Sequence, residues 1–148
     1  MKYIIRKARI DDLKNLSDLF FEFTGLDSDL IAMKKQLEIM TNDPNYFVAV
    51  ATADERVIGT SMAIKCLDLV GNCNPFLIVE NVVVFSQFRG KGIGKLLMQS
   101  IEDFGMENSC NYIILVSGNN REQAHEFYKS VGYSSDNQGF KKRLLKQS

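Results

Sequence analysis

The run Val82-Val83-Val84-Phe85-Ser86-Gln87-Phe88-Arg89-Gly90-Lys91-Gly92-Ile93-Gly94-Lys95 has the residue types of an anion site. Gly90, Gly92 and Gly94 leave backbone N–H groups unshielded where an apolar strand pattern gives way to a helical one. A helix N-terminus carries orphan donors and the positive end of aligned peptide dipoles, so such amides favour a phosphate. Arg89, Lys91 and Lys95 add positive charge around them. Spacing removes two better known phosphate loops. A triphosphate loop, G-x-x-x-x-G-K-[ST], would need glycine at Arg89 and a hydroxyl at Leu96. A dinucleotide fingerprint starting at Gly90 would need its third glycine at Lys95. Taken alone, the loop leaves two readings open: a diphosphate cradle, or a glycine-rich turn with no ligand.

The elements that must position this loop follow from apolar spacing. Tyr3 to Ala8 reads as a strand, and Asp11-Asp12 open a helix with Leu13, Leu16, Leu19, Phe20 and Phe23 at helical intervals, ended by Thr24-Gly25. A second helix runs from about Asp29 to Met40, with Leu30, Met33, Leu37 and Met40 on one face, and Asp43-Pro44 stops it. Tyr46 to Thr52 and Val57 to Ile64 form a hairpin around Ala53-Asp54-Glu55-Arg56. Phe76 to Phe85 is apolar on both faces, as a central strand is. Ile93 to about Met106 is helical, and Asn111 to Val116 is another continuous apolar strand. Arg121 to Val131 is a helix burying Ala124, Phe127, Tyr128 and Val131, with Asn120 and Gln123 spaced as a capping box. Gly132-Tyr133 and Lys141 to Leu145 are expected to close the sheet. The order β-α-α-β-β-β-α-β-α-β-β, without repeat or linker, predicts one α/β domain over residues 1–148.

Composition narrows the function. The chain has 148 residues, 45% of them hydrophobic, enough for one sizeable core. Lys plus Arg and Asp plus Glu are 18 each, which argues against a nucleic-acid partner. The charges are uneven, however: Ile10 to Glu55 holds ten acidic residues against three basic ones, whereas Ser86 onward holds nine basic against six acidic. Cys66, Cys73 and Cys110, with a single histidine at His125, make neither a disulfide framework nor a metal site, and they read as buried small apolar residues. No window is apolar enough for a signal peptide or a membrane span, so a cytoplasmic protein with reduced thiols is expected.

Arg89-x-x-Gly92-x-Gly94 resembles the R/Q-x-x-G-x-G/A motif of the GNAT superfamily of acyl-CoA-dependent N-acetyltransferases, again between a central strand and a helix. Arg121-x-x-Ala124-His125-x-Phe127-Tyr128-x-x-x-Gly132-Tyr133 is similar to that superfamily's later motif, a tyrosine-bearing helix ending in Gly-Phe or Gly-Tyr. The resemblance covers nearly the whole chain. It implies a mixed, mostly antiparallel sheet with helices on both faces, and acetyl-CoA as acetyl donor. The main chain of Val82, Val83 and Val84 would pair with the pantetheine arm. Arg89, Gly90, Lys91, Gly92, Ile93, Gly94 and Lys95 would wrap the diphosphate. Arg121 stands where many relatives carry a cofactor-contacting asparagine. Relatives often dimerise, so a homodimer stays open.

The chemistry needs a proton acceptor and a proton donor. A primary amine with a pKa near ~10 is about one part in a thousand neutral at pH 7, so attack on a thioester needs a base or a water chain. Glu80 is the candidate, because it interrupts Phe76-Leu77-Ile78-Val79 and Val82-Val83-Val84-Phe85 where a buried carboxylate is costly without a purpose, and desolvation makes a carboxylate more basic. A carboxylate at an open strand edge, or one paired with Arg89, is the alternative. Asn81 reads as a strand irregularity, and a bulge there would release a backbone N–H, that of Val82, for the oxyanion. Tyr128 is the candidate acid for the leaving thiolate, because the superfamily's matching tyrosine points at the sulfur; the alternative is a tyrosine packed beside Phe127. His125 reads as a helix-surface residue. The acidic first helices, which border the acceptor cleft in that superfamily, would attract a small cationic amine. Two other functions remain: a non-catalytic acyl-CoA sensor, and an acetyltransferase acting on protein or peptide amines.

Overall fold

The computed structural model describes residues 2–146, in two compact units divided after Leu115. The first unit holds five strands, β1 (Tyr3–Lys7), β2 (Tyr46–Ala53), β3 (Arg56–Cys66), β4 (Phe76–Val84) and β5 (Ile113–Leu115), in the spatial order β1-β2-β3-β4-β5. All neighbours are antiparallel except β4 and β5. Three helices complete it, α1 (Leu13–Thr24), α2 (Leu30–Thr41) and α3 (Ile93–Glu107). The second unit carries α4 (Glu122–Ser130).

Side-chain size decides where α3 can lie. Ala49, Ala51, Gly59 and Ala63 share one face of the sheet, and α3 settles on it with Leu97 against Gly59 and Phe104 stacked on Phe47 at 5.0 Å. A Cβ on Gly59 would stand 3.2 Å from Leu97 and 3.1 Å from the Val83 carbonyl, so the approach requires glycine there. Val50, Thr60 and Val83, on the opposite face, are buried too, and α1 and α2 cover them. The Thr60 hydroxyl is satisfied in that core by the Ala49 carbonyl at 2.7 Å.

Two local devices hold the first helices. Arg6 forks onto Asp12 with two 2.8 Å hydrogen bonds, and the same carboxylate accepts the Arg9 N–H at 2.7 Å. Burial pushes the Asp12 carboxyl up, but these bonds and the nearby guanidinium charges outweigh it and hold it below the usual value; Arg6 is raised by the same pair. Asp29 caps α2 by accepting the Ala32 N–H at 3.0 Å. The α1 stop falls where expected, with Gly25 left-handed at φ 75° and its N–H on the Phe21 carbonyl.

Several expectations are corrected. β5 is only three residues long, since of the apolar run 111–116 only Ile113–Leu115 pairs with β4, and Ile114 and Val116 are exposed. Leu30 is exposed and Leu37 alone is buried on α2. Gly132-Tyr133 and Lys141 to Leu145 form no strand. Lys141, Lys142 and Arg143 put cations on both faces of that run, so it has no apolar face to bury. The Asn120/Gln123 capping box does not form, since a turn from Gly118 to Arg121 makes Arg121 the N-cap of α4 without a side-chain cap. The expected buried face of α4 is half-buried, and Cys73 is exposed at φ 60° rather than buried.

Candidate functional site

β4 is irregular at the position that matters. Thr60 faces Val83 and Met62 faces Glu80, so Ser61 alone opposes Asn81 and Val82. Asn81 is the extra residue of a β-bulge, left-handed at φ 58°, a conformation asparagine tolerates better than the valines beside it. The bulge shifts side-chain parity. Val79 and Val84 both face α3, whereas Glu80 and Val83 face the other way.

The backbone direction follows. Phe85 donates its N–H to the Ile58 carbonyl at 2.9 Å, so the peptide groups of Val84, and by alternation those of Val82, point away from β3. On that side β4 pairs with β5 only at Leu77, Ile78 and Val79. From Glu80 to Val84 this edge carries no ladder among the described residues. It is an open edge with outward N–H groups, the arrangement to which an extended amide chain adds as a strand does.

Beyond the edge the chain passes through a short 3-10 turn, Ser86–Phe88, and then the glycine loop. Gly90 and Gly92 are left-handed at φ 76° and 82°, with nothing within 4 Å of where a Cβ would stand. Gly92 is the N-cap of α3, and no side chain caps that helix. Among the described residues no protein group accepts from the amides of Gly90, Lys91, Gly92, Ile93, Gly94 or Lys95; the first N–H to find a partner is that of Leu96, on the Gly92 carbonyl at 3.2 Å. Arg89, Lys91 and Lys95 are exposed beside them. Six unpartnered donors at the N-terminus of a fifteen-residue helix suit the oxygens of a diphosphate.

Glu80 departs from its expectation. It is exposed, so the desolvation that recommended it as a base is absent, and it does not pair with Arg89. The bulge is the reason, since it sits where the strand stops being laddered on both sides. Arg89 instead donates from Nε to the Val84 carbonyl at 3.2 Å and lies 4.0 Å from Glu22. Glu22 was not singled out in the sequence. Its carboxylate accepts the Ser86 N–H at 2.6 Å, and the only trace of this is one acid set among Phe20, Phe21 and Phe23. Cys110 is half-buried and burial pushes its thiol up, which suits a packing role rather than a nucleophilic one.

In the second unit Tyr128 is half-buried on α4, 5.3 Å from Phe127 and edge-on to Tyr133 at 5.9 Å. Gly132, at φ 98°, turns the chain so that the Tyr133 N–H reaches the Tyr128 carbonyl at 3.0 Å. That is the physical content of the helix-Gly-Tyr pattern. His125 is half-buried, and Arg121 is exposed at the N-cap. A hollow of about 680 Å³ lined by Lys35, Glu38, Ile39, Asn42 and Asp43 shares no residue with the loop or with β4. Among the described residues no helix is long and apolar enough to cross a membrane.

A bulged strand with an open edge is followed by a glycine loop that leaves six amides unpartnered among the described residues. Comparison with known proteins gives the class: residues 10–133 match the Acetyltransferase (GNAT) family, and the chain belongs to it and is an acyltransferase. Solved structures with the same fold include a GNAT family acetyltransferase from Staphylococcus aureus (28% identity, TM-score 0.78, covering 97% of this chain and 100% of that one). Glucosamine-6-phosphate N-acetyltransferase from Arabidopsis thaliana is 22% identical with a TM-score of 0.88, covering 98% and 100%. The aminoglycoside N-acetyltransferase AAC(6')-Iy, solved with CoA, is 19% identical with a TM-score of 0.82, covering 97% and 95%.

Proposed function

We propose that this chain, as one catalytic domain over residues 1–148, moves an acetyl group from acetyl-CoA to the primary amine of a small cationic molecule, by direct attack within a ternary complex. The observation that carries the reading is the row of six unpartnered amides from Gly90 to Lys95 directly beyond the unladdered edge of β4. The family match runs across the division between the two units, which supports treating them as one domain. The likeness to enzymes of amino sugars and aminoglycosides favours a small amine as acceptor.

Bound acetyl-CoA supplies a thioester carbonyl as electrophile. The amides of Gly90 to Lys95, with Arg89, Lys91 and Lys95, hold its diphosphate; Arg121 adds a further cation toward the donor. Val82 and Val84 offer outward main-chain groups to the pantetheine arm, while Val83 between them is laddered to β3 and fills the core. The Val82 N–H donates to the carbonyl oxygen as negative charge gathers there. Glu80, exposed on the bulge, accepts the amine proton through water, and the Tyr128 hydroxyl returns a proton to the departing sulfur. Asp27, between the first two helices, and the acids of those helices attract the cationic acceptor.

The test is calorimetry with CoA on folded protein, followed by acetyl-CoA turnover against amino sugars, aminoglycosides, polyamines, amino acids and peptides. Micromolar CoA binding with turnover on a small amine is expected. Absence of CoA binding would end the reading, and turnover on peptides alone would replace the acceptor class.

A further inference from the structure

Phe85, with Arg56 over its ring, and Phe88 anchor the turn in the core, but the glycine loop beyond them has few polar ties to the rest of the first unit. It leaves β4 at Val84, turns through Ser86–Phe88, and passes two left-handed glycines before α3 begins without a side-chain cap. Among the described residues only one side chain from another element makes a hydrogen bond to the segment 85–92: that of Glu22, near the C-terminal end of α1, to the Ser86 N–H at 2.6 Å. The same carboxylate oxygen stands 4.0 Å from the Arg89 guanidinium, whose Nε is turned onto the Val84 carbonyl. Glu22, Ser86, Arg89 and Val84 thus form a closed circuit joining α1, the loop and the open edge of β4.

A carboxylate beside donors meant for an anion weakens their field, so on electrostatics alone Glu22 would oppose donor binding. Its short, charge-assisted bond to the loop entry works in the other direction, because ordering the loop in advance removes a cost that binding would otherwise carry. We infer that Glu22 is a positioning residue of the donor site: it fixes the entry of the glycine loop through the Ser86 N–H and keeps Arg89 folded over the Val84 carbonyl, at the junction of the pantetheine edge and the diphosphate amides. This rests on the acetyl-CoA reading above. Glu22 does not touch the reacting atoms, so it governs donor affinity rather than the chemical step.

Ser86 allows a test from the other side of the bond. It is the first residue of its turn, where proline is tolerated, and Phe85 before it has φ −52° and ψ 138°, the extended conformation a following proline prefers. Ser86→Pro therefore deletes the donor without forcing the backbone. Glu22→Ala and Ser86→Pro are each expected to raise the CoA dissociation constant about tenfold by calorimetry, with kcat at saturating donor within twofold of wild type. The double variant should stay near tenfold rather than reach about a hundredfold, because both changes break one bond. Glu22→Gln, which keeps an acceptor and loses the charge, should fall between wild type and Glu22→Ala, and it serves if the alanine variant melts early. Unchanged or tighter CoA binding in the single variants, or additive losses in the double, overturns the inference while wild type still binds CoA. Failure of wild type to bind CoA instead sinks the acetyltransferase reading beneath it.

Discussion

Substitution at Gly92 separates the phosphate-cradle account from a merely structural glycine turn. Gly92 is left-handed at φ 82°, and a Cβ there would meet nothing within 4 Å, so any side chain costs backbone strain but no clash. That strain is about 1–2 kcal/mol for an ordinary L-residue and less for asparagine. A glutamate adds a carboxylate pointing outward from the N-cap of α3, among the amides that would hold the diphosphate. At a separation of ~5 Å its repulsion per unit of phosphate charge is about 1–3 kcal/mol for an effective dielectric between bulk water and a protein surface. The strain is the same with and without CoA and lowers stability alone, so the repulsion predicts that Gly92→Glu weakens CoA binding by about 1–3 kcal/mol, from about fivefold to more than a hundredfold. Gly92→Asn should bind CoA within a fewfold of wild type. Gly71→Ala is the control: φ is 61° with the same empty surroundings, but Gly71 lies in the loop before β4, at the other end of that strand. It should lower the melting temperature without moving CoA affinity. Isothermal titration of all three variants decides the matter, and wild-type CoA affinity in folded Gly92→Glu would refute the cradle.

Tyr128→Phe keeps the ring contacts with Phe127 and Tyr133 and removes only the hydroxyl, so kcat should fall about a hundredfold in steady-state assays. Asp27→Asn should raise KM for a polycationic acceptor about two- to threefold at low salt and leave KM for a neutral amine alone; Asp29 is the poorer choice, since its carboxylate caps α2. The Arg6–Asp12 pair sets an acid limit. Asp12 has its folded pKa depressed, so its contribution is fully present above the unfolded value near ~3.9 and is lost as pH falls through the lower folded value. Asp12→Asn should therefore cost about 1–3 kcal/mol at neutral pH and flatten the loss of stability below about pH 4 in thermal melts.

What the sequence disclosed divides along physical lines. Elements built on long apolar periodicity were legible: α1, α3, the hairpin from β2 to β3, and β4 all lie within a few residues of their expected bounds. The glycine loop was legible because left-handed backbone and bare amides leave a compositional trace at Gly90 and Gly92. The hairpin turn at Asp54 and Glu55 was found from its setting, although both residues are left-handed without being glycine. Features that depend on what a segment meets in space were not legible. The run 141–145 is expected as a closing strand, but its two apolar neighbours, Leu144 and Leu145, would occupy opposite faces and make neither face hydrophobic. Glu22 was silent because its partner is a main-chain N–H 64 residues away, and a backbone donor has no residue type to read.

Glu80 shows how a residue's surroundings can differ from what its sequence neighbours suggest. An acid between two apolar runs reads as a buried acid, since an unbroken strand laddered on both sides would enclose it. The bulge at Asn81 breaks both premises at once. It ends the double laddering of β4, which leaves Glu80 in contact with water, and it adds one residue to the strand. Had the strand continued regularly, Glu80 and Val84 would lie on the same face, and an acid would stand with the valine that meets Gly59 under α3. With the extra residue Val84 remains against α3, and Glu80 is turned to the face of Met62. The same residue therefore keeps the core under α3 apolar and opens a main-chain edge at Val82 and Val84, with the strand's one carboxylate beside that edge.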